Sequence, residues 1–335
     1  MPDAVNQATV VGAGGMGTLC ALLLAERGSQ VTLWGRSAEH VIRLNRDREN
    51  RQYLPGHRLP PTVSVLADAK TAFSDSSLII SAIPCQYTRD VWTTLARVAP
   101  RHVPFVSVAK GIEVGSLLYP TQIIRDCLGD VTVACLSGPC IAPEVAAGKP
   151  TSVVVASRDQ KTAIMVQHAF SSPYFRVYTS SDLIGVELGG AVKNVIAIAA
   201  GICDGIGGGD NAKAALLTRG LVEIRRLGRA MGARPETLSG LAGLGDLVTT
   251  CISKMGRNRT AGERIGRGES AEAVMASTSS VIEGIPTARS VLELANRHKV
   301  EMPIVSAMAS VLFEGRRPSD AIEELMTRPL RSEGP

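Results

Sequence analysis

Lys193 is the only cation in residues 185–201, GVELGGAVKNVIAIAAG, a stretch of helical length with small or apolar residues on nearly every side. A helix of that composition is expected to be buried. A buried ammonium must be paired, or its pKa falls. A lysine so lowered exchanges protons near neutral pH. The competing account lays the stem of Lys193 along apolar surface and keeps its head in water. Lys110, in VAKGIE (108–113), stands just past the carboxyl end of a strand-like run, where ligands lie in open α/β sheets. Ser137-Gly138-Pro139-Cys140 also follows such a run and can present backbone N–H groups. Asp246, in GLGDL (243–247), and Gly256-Arg257-Asn258-Arg259 flank a short linker further on. Taken singly, each of these has a plain account as a turn, a capped loop or a solvated charge.

A second constellation is less ambiguous. Gly12-Ala13-Gly14-Gly15-Met16-Gly17 fits the pattern GxGxxG. It follows the strand-like Thr9-Val10-Val11 and opens a helical stretch, which is the context the motif requires. Gly12 permits the tight turn, Gly14 lets backbone approach a pyrophosphate, and Gly17 allows close helix–strand packing. The free N–H groups at the helix start then face the phosphates. NAD-specific sites usually carry Asp or Glu at the end of the second strand, whereas this chain has Trp34-Gly35-Arg36-Ser37. Arg36 can pair with a 2′-phosphate and stack on adenine. The expected cofactor is NADP(H), with use of NAD(H) left open.

These groups need elements to hold them. Val- and Ile-rich runs at Ala8–Gly12, Gln30–Trp34, Thr62–Leu66, Leu78–Ile83, Pro104–Val108, Val131–Leu136, Ser152–Ala156 and Phe175–Thr179 read as strands. Helical stretches at Met16–Arg27, Ala38–Asp47, Tyr87–Ala96 and Leu118–Leu128 alternate with them, which predicts a parallel sheet covered on both faces. After about Thr179 helical patterns dominate. The expected fold is an N-terminal α/β, Rossmann-like doubly wound sheet with an all-α C-terminal domain. The expected divisions are a dinucleotide-binding domain at 1–182, a helical substrate and catalytic domain at 183–330, and a frayed tail at 331–335.

Composition excludes several classes. The 335 residues are 45% hydrophobic, enough for two cores of ordinary size. The net charge of +5 is dispersed and aromatics total 4%, which argues against a nucleic-acid partner and suits an anionic small molecule. Seven scattered cysteines form no CxxC pair and no metal-ligand spacing, so no metal is expected and a reducing compartment is. The N-terminus lacks a basic n-region, and no apolar run of about 18 residues predicts a membrane span. The expected location is cytoplasmic.

In order along residues 8–290 stand GAGGMG, VTLWGR, NRQYLPG, AKGIE, SGPCIAPEVA, GVELGGAVKNVIAIAAGICDGIGGGDNAKAALLTRGL, GLAGLGDLVTTC, GRNR and VIEGIPTA. Together these strings strongly resemble NAD(P)-dependent glycerol-3-phosphate dehydrogenase of the bacterial type. The resemblance implies reversible reduction of dihydroxyacetone phosphate to sn-glycerol 3-phosphate, which feeds phospholipid synthesis. It makes Lys193 the catalytic lysine, with Asp246 beside it and Lys110 touching substrate and cofactor. Gly138, Cys140, Gly256, Arg257 and Asn258 fall in its substrate site, the last two as the phosphate-holding pair. Gly15, Met16, Arg36, Ala142, Arg257, Val281 and Glu283 fall among its cofactor contacts. A homodimer is implied by the family alone. The chain departs from the family pattern at Cys140 (usually Ser or Thr), Gly256 (usually Ser), Met16 (often aromatic) and Pro143 (often Lys). Two other readings compete. A related two-domain dehydrogenase of a 3-hydroxy acid would have no use for Arg257-Asn258 as a phosphate clamp. A catalytically silent NADPH-binding sensor would not need Lys193, Lys110 and Asp246 together.

Overall fold

The computed structural model describes residues 5–278, 280–330 and 332–333. The tail expected to fray, 331–335, lies largely outside the described residues. Eight strands form one sheet in the order β10-β9-β8-β7-β6-β1-β2-β5. They are β1 (Gln7–Val11), β2 (Gln30–Trp34), β5 (Val63–Leu66), β6 (Leu78–Ser81), β7 (Phe105–Ser107), β8 (Val133–Ser137), β9 (Thr151–Ser157) and β10 (Phe175–Ser180). A short hairpin, β3 (Glu49–Asn50) with β4 (Leu54–Arg58), stands apart from it. The helices among them are α1 (Gly15–Glu26), α2 (Ala38–Asp47), α3 (Ala69–Ala72), α4 (Cys85–Leu95), α5 (Pro120–Leu128), α6 (Ala142–Ala146) and α7 (Gln160–Phe170).

Strand residues alternate between two cores. Ala8, Val10, Val31 and Leu33 join one cluster, and Val11, Trp34, Ile79 and Phe105 join the other on the opposite face. All residues of β6, β7 and β8 are buried, as strands covered on both faces must be. The strand order reverses between β1 and β6, so the crevice above their carboxyl ends is where a ligand can enter.

The parallel expectation fails at one pair. β9 runs antiparallel to β8, with Leu136 opposite Val155. The connection between them holds only the five-residue α6, not a helix long enough to carry the chain back across the sheet. Both α6 and α7 went unread in the sequence.

Beyond β10 the described residues are helical: α8 (Leu183–Gly205), α9 (Gly209–Ala230), α10 (Pro235–Ser239), a π-helical turn (Leu241–Gly245), α11 (Asp246–Ile252), α12 (Arg257–Gly266), α13 (Ala271–Ala276), α14 (Gly284–Arg297), α15 (Pro303–Phe313) and α16 (Pro318–Thr327). Every residue of α8 from Gly185 to Cys203 is buried. α8 is also the one described helix long and apolar enough to cross a membrane, yet 89% of its most apolar window lies inside the protein. It is the central helix of the C-terminal core. Two glycines bring α12 against it: a Cβ on Gly201 would fall 1.9 Å from the Arg259 carbonyl oxygen, and one on Gly262 would fall 2.0 Å from that of Ile198. Glu187 on α8 also reaches the first half, accepting from Thr121 N (3.1 Å) and Thr121 Oγ1 (2.6 Å) on α5.

Candidate active site

The glycine turn joins β1 to α1 at the reversal in strand order. Gly12 has φ of +113°, a left-handed conformation that favours glycine, and a Cβ there would meet the Ala82 carbonyl oxygen at 2.8 Å. At Gly17 a Cβ would lie 1.8 Å from the Gly12 carbonyl oxygen, so the helix can pack onto the turn only without one. At Gly14, by contrast, a Cβ would meet nothing within 4 Å. Open space on that side lets a phosphate approach the backbone, so these residues fit a dinucleotide. Gly15 begins α1 and the half-buried Met16 packs on the sheet core. Arg36 is exposed at the end of β2, one residue before Ser37, which caps α2 by accepting from His40 N at 3.2 Å. Ala142 opens α6.

Across the crevice, α8 delivers Lys193 with only 6% of its surface exposed. The account that kept its head in water does not hold. Its Nζ lies 3.0 Å from Asp246 Oδ1 and donates to Thr250 Oγ1. Asp246, the first residue of α11 and 2% exposed, takes Lys110 Nζ on its other oxygen at 2.6 Å. Lys110 also donates to the Gly138 carbonyl oxygen at 2.8 Å. One buried carboxylate thus sits between two ammonium groups, one from each half of the chain. Burial pushes Asp246 upward, but Lys110 and Lys193 outweigh it and hold the carboxyl below its usual range. Burial pulls Lys193 down, Asp246 opposes it and Lys110 adds to it, leaving the ammonium at about 8. Of these, desolvation is the largest and decides the direction.

A second group of polar side chains is built on α12 and the segment before α14. Asn258 is buried: its Nδ2 donates to Asn194 Oδ1 at 2.9 Å, and its Oδ1 accepts Gly284 N at 2.9 Å. Asn194 in turn donates to the Lys110 carbonyl oxygen at 3.0 Å. Each amide nitrogen carries a second hydrogen that can serve a substrate oxygen. Arg257 is exposed at the start of α12, after Gly256 at the N-cap. A Cβ on Gly256 would be 3.1 Å from the Thr250 carbonyl oxygen, tight contact that glycine avoids. Val281 is half-buried. Glu283 Oε1 accepts Cys85 N at the start of α4 at 2.8 Å, while Oε2 is buried without a hydrogen-bond partner. Burial raises the Glu283 carboxyl to about 7, with the Cys85 bond and Arg257 opposing. The half-buried Cys140 lies within electrostatic reach of Lys110, Asp246 and Lys193, and burial holds its thiol protonated, at about 11.

The structure therefore gathers Lys110, Gly138, Cys140, Lys193 and Asp246, links Asn258 to them through Asn194, and leaves the glycine turn and Arg36 as a separate arm. Two contributors, Thr250 and Asn194, went unread, and of Ser137 only the backbone was considered. Thr250 stands four residues after Asp246, on the same face of α11, and a helical reading of 246–252 would have exposed it. Asn194 follows Lys193 directly. Ser137 Oγ is buried with no hydrogen-bond partner, facing α8 where a Cβ on Gly190 would come within 2.7 Å.

Comparison with known proteins places the chain in a family. Residues 7–163 match the family described as NAD-dependent glycerol-3-phosphate dehydrogenase N-terminus, and 182–323 match its C-terminus. The chain is 48% identical over 328 residues to glycerol-3-phosphate dehydrogenase [NAD(P)+] 2 of Salinibacter ruber, covering 97% of this chain and 95% of that one. It is 47% identical to glycerol-3-phosphate dehydrogenase [NAD(P)+] of Prosthecochloris aestuarii, over 97% and 99% respectively. Among solved structures, glycerol-3-phosphate dehydrogenase from Coxiella burnetii superposes with a TM-score of 0.93 at 37% identity, over 96% of this chain and 99% of that one.

Proposed function

Because the chain belongs to the NAD-dependent glycerol-3-phosphate dehydrogenase family, we propose the following division of labour among its residues. The protein reduces dihydroxyacetone phosphate reversibly to sn-glycerol 3-phosphate, using NAD(P)H. When bound, the reduced nicotinamide supplies the hydride that reaches the ketone carbon. The chain must hold the ketone, exclude water and hand a proton to its oxygen. Lys193 is the proton donor in reduction and the base in oxidation. The observation that carries this is the burial of its ammonium beside Asp246, with a pKa of about 8 that lets it serve both directions near neutral pH. Asp246 stays ionised, so it orients the two lysines and is not itself a proton source. Lys110 adds positive charge against the negative charge that develops on the carbonyl oxygen. Arg257, with the free amide hydrogens of Asn258 and Asn194, takes the substrate phosphate.

Gly12, Gly14, Gly15, Met16 and Gly17 hold the cofactor's pyrophosphate, Arg36 its 2′-phosphate, and Ala142, Val281 and Glu283 line its remaining contacts. Arg36 in place of an acid at the end of β2 favours NADPH over NADH. Gly138 and Cys140 close the substrate loop, and a thiol at 140 gives a weaker hydrogen bond than the usual hydroxyl. The seven cysteines are all unpaired, which supports a cytoplasmic location. A homodimer is also proposed, on the family resemblance. The 3-hydroxy-acid and sensor readings give way to relatives matched over nearly the whole chain. Purified protein should oxidise NADPH on addition of dihydroxyacetone phosphate. Lys193→Ala should lose at least a hundredfold in kcat, the lower end of what a general acid contributes (~10²–10⁴-fold), while still binding NADPH. Near-normal turnover by that variant would remove Lys193 from the chemistry.

A further inference from the structure

The glycine turn is held from outside by residues that belong to no nucleotide motif. Asn50, on the β3–β4 hairpin and 0% exposed, donates through Nδ2 to the Ala13 carbonyl oxygen at 3.0 Å and to Thr18 Oγ1 at 2.7 Å. Thr18 Oγ1 passes the contact on, donating to the Gly14 carbonyl oxygen at 2.9 Å. His40 Nε2 is also 3.0 Å from the Ala13 oxygen. A carbonyl can only accept, so Nε2 carries the hydrogen. The hairpin is fixed in turn: Asn50 Oδ1 accepts Tyr53 N at 3.3 Å, and the Tyr53 ring meets the His40 ring edge-on at 5.5 Å.

This bracing has a directional consequence. No peptide in the described chain is cis. In a planar trans peptide the N–H points opposite to the C=O of the same unit. Drawing the Ala13 oxygen toward Asn50 and His40 therefore turns the Gly14 N–H the other way. Drawing the Gly14 oxygen toward Thr18, which reaches it through both its N–H and its hydroxyl at 2.9 Å, does the same for the Gly15 N–H. Both donors are then aimed before any ligand arrives, and ordering them on binding would otherwise cost affinity. Gly14 is also the position where the surroundings are open.

We propose that Asn50 and Thr18, with His40 beside them, are positioning residues for the dinucleotide's pyrophosphate, fixing the two N–H groups of the glycine turn toward it. The proposal rests on the NAD(P)H-dependent reading above and adds residues that reading does not use. It makes three distinguishing claims. Loss of the brace weakens NADPH and NADH equally, because the pyrophosphate is common to both. It weakens ADP, which carries that group, and spares 2′-AMP, which does not. It acts on cofactor binding while leaving the lysine–aspartate centre alone.

The test measures dissociation constants by calorimetry for NADPH, NADH, ADP and 2′-AMP, without substrate, on wild type, Asn50→Ala, Thr18→Val and Thr18→Ser. Thermal melts of the unliganded proteins establish folding. The expected result is at least tenfold weaker NADPH, NADH and ADP for Asn50→Ala and Thr18→Val, with 2′-AMP within twofold. Thr18→Ser, which keeps the hydroxyl, should stay near wild type. At saturating NADPH, kcat should stay within about threefold of wild type. NADPH affinity within twofold in both deleted variants overturns the proposal. So does Thr18→Ser binding as poorly as Thr18→Val, or 2′-AMP lost in parallel with ADP. If Asn50→Ala does not fold, the Thr18 pair decides alone. Because binding is read without turnover, a wild type that bound NADPH but reduced no ketone would sink the functional reading and leave this test standing.

Discussion

Replacing Asp246 with Asn removes one negative charge from between two ammonium groups, the buried Lys193 and the partly buried Lys110, and keeps the side chain's size. Lys193 Nζ is 3.0 Å from that carboxylate. At that distance and an effective dielectric of ~20, the attraction is about 5.5 kcal/mol. At about 1.4 kcal/mol per pH unit, four units is the ceiling on what Asp246 does to Lys193. Water entering the cleft around the neutral amide will screen part of the loss, and single opposite charges typically move a pKa by ~1–3 units. Burial and Lys110, the two forces that depress Lys193, both remain. The ammonium should therefore fall from about 8 to roughly 5–7. Reduction needs Lys193 protonated, so in the wild type kcat/KM for dihydroxyacetone phosphate should fall as pH rises through about 8. In Asp246→Asn the same alkaline limb should appear at least one pH unit lower. In the oxidative direction Lys193 must be neutral, so there the rate should rise over the same interval. The assay is kcat/KM against pH in both directions at saturating cofactor, at a temperature where a melt shows the variant folded. An alkaline limb that stays at its wild-type position would refute the electrostatic account of this centre.

Two further outcomes follow from other parts of the structure. Arg36→Ala should raise KM for NADPH about tenfold and leave KM for NADH within twofold, since a hydrogen bond to a charged group contributes ~1.5–3 kcal/mol. Equal effects on both cofactors, measured by steady-state kinetics, would place the 2′-phosphate elsewhere. Glu187→Gln concerns stability. Burial raises this carboxyl to about 7, against the opposing bonds from Thr121. A folded-state pKa above the unfolded value gives stability that is present at low pH and lost as pH rises toward 7. The amide stays neutral throughout, so the variant should melt higher than wild type at pH 8 by at most about 3 kcal/mol and match it near pH 4.5. A variant less stable than wild type at pH 8, by thermal melt, would mean that the ionised carboxylate is the better partner for Thr121.

What the sequence made legible was what local chemistry dictates. The apolar run around Lys193 read as a buried helix, and GAGGMG between a strand and a helix read as a tight turn that lets a pyrophosphate approach at Gly14. What stayed hidden depended on partners far along the chain. The antiparallel β8–β9 pair is set by a short connection whose glycines and prolines look like any loop. The stretch between Leu247 and Gly256 read as a short linker, whereas α11 runs through Ile252, and with that reading Thr250 disappeared. Asn50 lies in a hairpin too short to give a strand signal, yet its amide reaches the glycine turn 37 positions away.

The two halves of the site obey different constraints. The arm proposed for the nucleotide is fixed by backbone geometry, so glycines mark it and their spacing can be read directly. The proton-transfer centre is fixed by desolvation, and burial belongs to the packed assembly of α8, α11 and the β7–α5 loop rather than to any one segment. A lysine in a glycine- and alanine-rich helix signals that such a centre can exist. Only the meeting of Lys110 from the first half with Asp246 from the second makes it a centre whose charge is set by the closure of the two halves on each other. Any substitution that loosens that closure, even far from the cleft, should therefore move the pH profile of turnover before it moves cofactor affinity.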